Sequence, residues 1–301
     1  MSESDTEGVE ASSVFITAPD GLKLHVRCYG SRLAPSLPVV CLPGLTRTAA
    51  DFDDLASALA SNSDAPRRVI ALDYRGRGLS AYDRDARNYS LSTELADLRA
   101  VLTALDVAPA VFVGTSRGGI LTMLLASAQP TAIVGAVLND IGPVIDPTGL
   151  ARIKSYVGKL PRPKSFEEGA EIFRRLFGQH FKLTDEEWLA YSRRSFKIEQ
   201  QRLMPTYDVK LSKTMAGIDF DRPLPPMWPQ FDSLGRVPVM VLRGENSDLL
   251  SKDTVAAMRA RRAAMETITV PDQGHAPILS GADLIGRLGA FVASCEPARP
   301  N

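Results

Sequence analysis

Short apolar runs, rich in Val, Ile and Leu, alternate along the chain with segments in which leucines recur at helical spacing. Such runs are typical of strands that are covered on both faces, as in a parallel sheet. They occur at residues 39–42, 69–72, 111–113, 133–138, 237–242 and 267–270. Helical spacing is clearest at Leu95, Leu98, Leu102 and Leu105. The alternation predicts an α/β fold with a mostly parallel sheet, right-handed crossovers and flanking helices.

Two more strands are predicted near the start of the chain. Residues 14–17 and 22–29 flank Pro19-Asp-Gly21, a turn signal, and apolar side chains alternate in the second segment. This antiparallel pair brings the predicted sheet to eight strands. Residues 1–12 are polar and acidic, and we expect them to form a disordered tail.

The alternation stops for about a hundred residues after Leu138, where helical segments with charged faces follow. Ser165 to Glu168 and Thr184 to Glu187 have the pattern of capping boxes. We therefore predict a core of residues 13–142 and 237–301, interrupted by a helical cap at 143–236. Such an insertion would lie over the carboxyl edge of the sheet, where α/β folds bind ligands.

The cap sequence is basic. Residues 151–222 contain fifteen Lys or Arg and ten Asp or Glu. This excess is compatible with an acidic substrate, although a solvated helix face is the commoner explanation. Aromatic side chains are frequent in the same region and could line an apolar pocket.

The overall composition limits the classes of binding partner that are expected. Thirty-five basic residues balance thirty-five acidic ones among 301, so no global charge favours nucleic acid or an anionic membrane surface. No apolar run approaches the roughly 18 residues that span a bilayer, and the acidic start differs from a signal peptide, which favours a cytoplasmic location. Cys28, Cys41 and Cys295 lie far apart, and we interpret them as buried free thiols. The three histidines lack metal-ligand spacing, so we expect no metal site.

The stretch Gly114-Thr-Ser-Arg-Gly118 joins an apolar strand to a helix and indicates a nucleophile elbow at Ser116. Glycines are needed at both ends because the turn brings chain segments into near contact, where a Cβ would collide. The strained serine backbone lifts Oγ above the sheet.

A nucleophilic serine needs a base and an acid that orients the base. His275 lies in the loop after the last predicted strand, at the edge of the sheet where Ser116 is expected. For the acid we favour Asp248, because an acid shortly upstream of the histidine is the commoner order. Asp140, which follows the preceding strand, is the alternative and could equally point at the histidine.

The oxyanion of a tetrahedral intermediate needs fixed N–H donors. We expect one from the backbone of Arg117, directly after the nucleophile. The second is expected from Leu45, in the loop after residues 39–42, where Gly44 permits close approach.

Together these motifs resemble an α/β-hydrolase of the lidded esterase-like type. The matches are the elbow, Leu42-Pro-Gly-Leu45, Asp73 to Ser80, Gly244 to Asp248 and Gly274-His275, in the order of the family. The resemblance implies Ser116 as nucleophile, His275 as base, Asp248 as orienting acid, no cofactor and a helical cap.

The chain departs from the family at one of these motifs. Pro43 stands where many members have histidine before the glycine, so side-chain help at the oxyanion loop is not expected. Arg75 and Arg77 are expected to stabilise the fold. Serine at 116 disfavours haloalkane dehalogenase and epoxide hydrolase activities, which use aspartate in this fold.

The predicted function is hydrolysis of a small-molecule carboxylic ester through an acyl-enzyme. One alternative is a hydrolase of carbon–carbon bonds in dienone or diketo acids, which uses the same triad with a more basic pocket. Another is a non-catalytic ligand receptor on this scaffold, which typically lacks a triad member; Ser116, Asp248 and His275 argue against it.

Overall fold

A computed structural model describes residues 11–216 and 224–297. Within these residues, the strands are β1 (Ser12–Thr17), β2 (Lys23–Tyr29), β3 (Ser36–Leu42), β4 (Arg67–Asp73), β5 (Ala110–Thr115), β6 (Ile133–Asn139), β7 (Phe196–Glu199), β8 (Arg202–Pro205), β9 (Val239–Gly244) and β10 (Glu266–Val270). The α-helices are α1 (Asp53–Ser61), α2 (Leu91–Leu105), α3 (Arg117–Ala128), α4 (Pro147–Tyr156), α5 (Phe166–Phe177), α6 (Asp185–Ser195), α7 (Trp228–Asp232), α8 (Lys252–Arg261) and α9 (Ala282–Ser294).

Eight of the described strands form one sheet in the order β1-β2-β4-β3-β5-β6-β9-β10. Strand β2 pairs antiparallel with β1 and with β4, whereas β4, β3, β5, β6, β9 and β10 pair in parallel. The predicted mostly parallel, eight-stranded sheet is therefore confirmed. The carboxyl ends of β3, β5, β6, β9 and β10 lie at one edge, so the loops that follow them converge.

Both faces of the central sheet are buried, which is why β3, β4, β5, β6 and β9 each contain an apolar run. Val40 and Leu42 point into a core layer that includes residues of α2, α3 and α8. Their neighbours Val39 and Cys41 point into the opposite layer, with residues of α1 and α9. Successive strand side chains thus fill two layers in turn.

The chain between β6 and β9 has its own aromatic cluster, in which Phe173, Phe177 and Trp188 are buried. The predicted capping box at the start of α6 is confirmed by reciprocal hydrogen bonds between Thr184 and Glu187. Only half of the capping box predicted at α5 forms: Ser165 accepts from the Glu168 N–H, but the Glu168 carboxylate accepts from the Lys164 N–H.

The sequence predicted an entirely helical region here, and this was wrong, because β7 and β8 form a hairpin. Its turn residues Gln200 and Gln201 both have positive φ without a glycine or asparagine, so no turn signal marks it. The described part of the proline-rich segment 223–229 contains the start of the short helix α7, and residue 223 lies outside the described residues.

The predicted tail at residues 1–12 lies mostly outside the described residues, and Ser12 begins β1. Cys28, Cys41 and Cys295 are buried free thiols, as the sequence predicted. In the described ranges, no helix is long and apolar enough to cross a membrane.

Two glycines provide a matched test of this packing. A Cβ at Gly135 in β6 would lie 2.4 Å from Cys295 Sγ, whereas a Cβ at Gly286 in α9 would meet nothing within 4 Å. We expect Gly135→Ala to lower the free energy of unfolding by about 1–3 kcal/mol through overpacking. Gly286→Ala should raise it by up to about 1 kcal/mol through helix propensity. Urea unfolding followed by circular dichroism measures both, and shifts of the same sign would contradict the packing described.

Candidate active site

Ser116 lies in the tight turn between β5 and α3. Its φ of 51° falls in the left-handed region, which is uncommon for a residue other than glycine. A Cβ at Gly118 would lie 2.0 Å from the Leu42 carbonyl oxygen, and one at Gly114 would lie 2.6 Å from the Gly118 backbone. Only glycine fits at either position, which is the local reason for the motif.

His275 contacts Ser116. It lies in the loop after β10, and its Nε2 is 2.8 Å from Ser116 Oγ. The histidine side chain is 5% exposed. The structure thus brings together two residues that are far apart in the sequence and that the motifs had singled out.

The carboxylate beside His275 belongs to Asp140, directly after β6. Its Oδ2 is 2.8 Å from His275 Nδ1 and accepts a 2.5 Å hydrogen bond from Ser247 Oγ. Its Oδ1 accepts from the Gly244 N–H at 2.8 Å. Asp140 is fully buried, so these donors fix its orientation and compensate its lost hydration.

The preference for Asp248 was wrong about which carboxylate contacts the histidine. Asp248 forms a two-pronged ion pair with Arg152 of α4, at 2.5 Å to Nε and 2.8 Å to Nη2. No hydrogen bond joins it to His275 among the described residues. Burial opposes ionisation of Asp248, but the hydrogen bonds and charge of Arg152 hold its pKa below the ordinary value.

The physical reason is the shape of the loop after β9. Strands β6 and β9 are neighbours, so both loops reach the histidine side of the sheet. The Ser247 hydroxyl turns toward Asp140, and the next residue, Asp248, points to the helix α4 instead. Sequence order alone does not distinguish these two arrangements.

The loop after β3 lies opposite the nucleophile. A Cβ on Gly44 would be 3.9 Å from Ser116 Cβ. Within the described residues, neither the Leu45 N–H nor the Arg117 N–H donates a hydrogen bond. In the described residues, both backbone donors proposed from the sequence are therefore without a protein acceptor.

A buried carboxylate connects the segments that carry these two donors. Arg117 Nε donates to Glu94 Oε2 at 2.6 Å, and Arg77 Nη1 lies 2.8 Å from Glu94 Oε1. Arg77 Nε also donates to the Leu45 carbonyl oxygen at 2.9 Å. Burial opposes the charge on Glu94, but the two arginines hold its pKa below the ordinary value. Glu94 thus holds both sides of the gap beside Ser116.

Glu94 was not among the residues predicted for the site. A signal was present, because Glu94 is spaced with Leu91, Leu98 and Val101 on the inward face of α2, where a carboxylate needs a buried partner. Arg75, which had been assigned to the fold together with Arg77, binds Asp97 through two hydrogen bonds and also binds Asp20 and Asp83. Its carbonyl oxygen accepts a hydrogen bond from Arg77 Nη1.

A cavity opens in front of Ser116, with about 950 Å³ of empty space, part of it open to solvent. Its floor includes Leu45, Ser116 and His275. Its roof comes from the region between β6 and β9, including Tyr156 and Tyr191.

The other histidines have structural contacts. His25 is buried and binds Asp73 and Ser13. His180 lies 3.3 Å from the Asn246 carbonyl oxygen. Across the described ranges, no group of three or more His, Cys, Asp or Glu is arranged to hold a metal ion.

Two known proteins are similar in sequence to this chain. A relative from Cupriavidus necator, a 3-hydroxybutyrate-oligomer hydrolase, is 34% identical over 84% of this chain and 88% of its own length. A 2-(acetamidomethylene)succinate hydrolase from Mesorhizobium japonicum is 23% identical over 77% of this chain and 79% of its own.

The crystal structure of an alpha/beta hydrolase from Novosphingobium aromaticivorans is similar throughout. It is 39% identical, covers 95% of this chain and 99% of its own, and superposes with a TM-score of 0.85. The model of the alpha/beta hydrolase family matches residues 39–287. The chain therefore belongs to the alpha/beta hydrolase family, and it is a hydrolase.

Proposed function

We propose that the protein hydrolyses carboxylic esters through an acyl-enzyme on Ser116, with His275 as general base and Asp140 as orienting acid. The observation that carries the proposal is the continuous hydrogen-bonded chain from Ser116 Oγ through His275 to Asp140, with both contacts at 2.8 Å. A serine, a base and an acid in this order are what acyl transfer requires.

The Asp140 carboxylate determines the tautomer of His275. An ionised carboxylate only accepts hydrogen bonds, so the proton of the neutral imidazole lies on Nδ1. The lone pair on Nε2 then faces the Ser116 hydroxyl and can accept its proton.

In the first half-reaction, Ser116 Oγ bonds to the ester carbonyl carbon while His275 Nε2 takes the hydroxyl proton. The negative carbonyl oxygen of the tetrahedral intermediate is bound by the Leu45 and Arg117 N–H groups. The intermediate then expels the alcohol oxygen, which receives the proton from His275, and the acyl group remains on Ser116.

In the second half-reaction, water attacks the acyl carbon and gives a proton to His275. The same N–H groups bind the second oxyanion. The bond from carbon to Oγ breaks, the proton returns to Ser116, and the carboxylic acid leaves. No redox partner is needed, because water is the only co-reactant.

The relatives suggest a substrate class. The Cupriavidus relative is named as a hydrolase of 3-hydroxybutyrate oligomers, and its alignment with this chain covers most of both sequences. We therefore propose short oligoesters of hydroxy acids as substrates. The aromatic residues of the cavity would contact their hydrocarbon parts, and the region at 143–236 would act as a lid over them.

Covalent labelling tests the nucleophile. A fluorophosphonate probe should modify Ser116, and Ser116→Ala should abolish both labelling and turnover of p-nitrophenyl esters and the 3-hydroxybutyrate dimer. Mass spectrometry locates the adduct. Cleavage of vinylogous diketo acids in preference to esters would favour the carbon–carbon hydrolase, and an inert Ser116 with ligand binding retained would favour a receptor.

Substitution of Asp140 and of Asp248 should have different effects on catalysis. Asp140→Asn should lower kcat by about 10³- to 10⁴-fold, because the amide no longer enforces the required tautomer of His275. Asp248→Asn should leave kcat within a fewfold and lower the Tm, because Arg152 loses its charged partner.

Steady-state kinetics and thermal unfolding measure these effects. Since the fold lowers the pKa of Asp248, its stabilising contribution is present at neutral pH and is lost as the pH falls below about 4. The Tm difference between Asp248→Asn and the natural protein should shrink there. A large kcat loss in Asp248→Asn alone would transfer the orienting role to Asp248.

Glu94→Gln should lower kcat by roughly 10- to 100-fold with little change in KM, because the oxyanion donors lose their common anchor. Asp97→Asn is the matched control: this acid is equally buried in α2 but pairs with Arg75, away from the site. Both variants should unfold at lower urea concentration. Equal kcat losses in the two would show that Glu94 acts only through stability.

A further inference from the structure

The roof of the cavity in front of Ser116, together with Arg47 and Asp51 beside it, forms a wall that contains unused hydrogen-bond donors. Among the described residues, the hydroxyls of Tyr156 and Tyr191 have no hydrogen-bond partner, although both side chains line the cavity. Tyr207 accepts from the Gly158 N–H, and its own proton has no acceptor in the described ranges. Burial raises the pKa of all three phenols, so they stay protonated.

The same wall contains two arginines and one carboxylate. Arg47 is neutralised by Asp51, which it binds through Nε at 2.6 Å and Nη2 at 2.5 Å. It is also fixed by Ser195 Oγ at 2.6 Å and by the face of Tyr191, 4.2 Å from the ring centre. Arg47 is therefore a rigid, charge-balanced part of the wall.

Arg194 is not balanced in this way. Its nearest carboxylate, Asp54, lies 3.8 Å away and is half exposed, where screening by water weakens the attraction. Its Nε is buried and has no hydrogen-bond partner within the described residues. The Arg194 side chain is 20% exposed and lines the cavity, so its guanidinium can reach a ligand and lacks the fixed partners that hold Arg47.

We propose that this wall binds a free carboxylate on the substrate, so that the enzyme selects esters that carry an acid group over their neutral counterparts. Arg194 supplies the charge, and the hydroxyls of Tyr156 and Tyr191 supply further donors. The weakly paired guanidinium of Arg194 fits a monoanion, and the aromatic surroundings fit its hydrocarbon chain.

This inference rests on the proposed ester hydrolysis and adds to it. An oligoester of a hydroxy acid ends in one free carboxylate, and in a dimer this group lies a few bonds from the scissile ester. Ser116 and Arg194 line the same cavity, so one short molecule can occupy both. The basic composition of the cap then has a specific role at Arg194.

The first test compares the 3-hydroxybutyrate dimer with its methyl ester, which removes only the negative charge. The natural protein should show a kcat/KM for the acid roughly tenfold or more above that for the methyl ester. In Arg194→Gln this ratio should fall close to one, mainly through KM. Arg193→Gln removes an exposed charge from the neighbouring position, which does not line the cavity, and should retain the ratio.

The second test measures binding without chemistry. In Ser116→Ala, calorimetry should show a lower Kd for the acid than for the methyl ester, and adding Arg194→Gln should remove the difference. Arg194→Lys retains the charge without Nε and should retain part of the preference, which separates recognition from misfolding.

The two proposals fail differently. Equal kcat/KM and equal Kd for the acid and its methyl ester would overturn the carboxylate site and leave ester hydrolysis standing. Absence of turnover and of Ser116 labelling would overturn the hydrolysis, while the calorimetric preference would still decide the carboxylate site. Failure of Ser116→Ala to bind either compound would overturn that site as well.

Discussion

The close contact between the start of helix α3 and the end of strand β3 is the constraint on which the site depends. Gly118 lies against the Leu42 carbonyl oxygen so closely that no side chain fits between them. This contact brings the nucleophile turn alongside the loop that carries Leu45. The strained φ of Ser116, the gap between the two free N–H groups and the Arg77–Glu94–Arg117 connection all follow from that approach.

Much of the fold was predictable because strands buried on both faces are mostly apolar. The six parallel strands of the sheet follow from that rule, and the antiparallel pair of β1 and β2 follows from its turn signal. Ser116 and His275 were predictable because the loops after parallel strands converge, so chain order becomes spatial proximity. The acid was not, since Asp140 and Asp248 follow adjacent strands and only side-chain direction distinguishes them.

Contacts between distant segments of the chain also could not be predicted from the sequence. Glu94 and Arg194 have no local motif, and their importance arises from partners that the fold brings near or, for Arg194 Nε, from the lack of one in the described residues. The hairpin of β7 and β8 was missed for a local reason, because two glutamines adopt positive φ without the residues that usually allow it.

Arg47 has a mechanical consequence, because it belongs to the loop after β3 but binds Ser195 and stacks on Tyr191 of α6. The cavity wall is therefore assembled from two parts of the chain, and it exists only while they are in contact. A ligand that touches both parts adds its own binding free energy to the work needed to separate them. Substrate binding and the contact between the two parts of the wall therefore stabilise each other. A product that still touches both parts is released slowly.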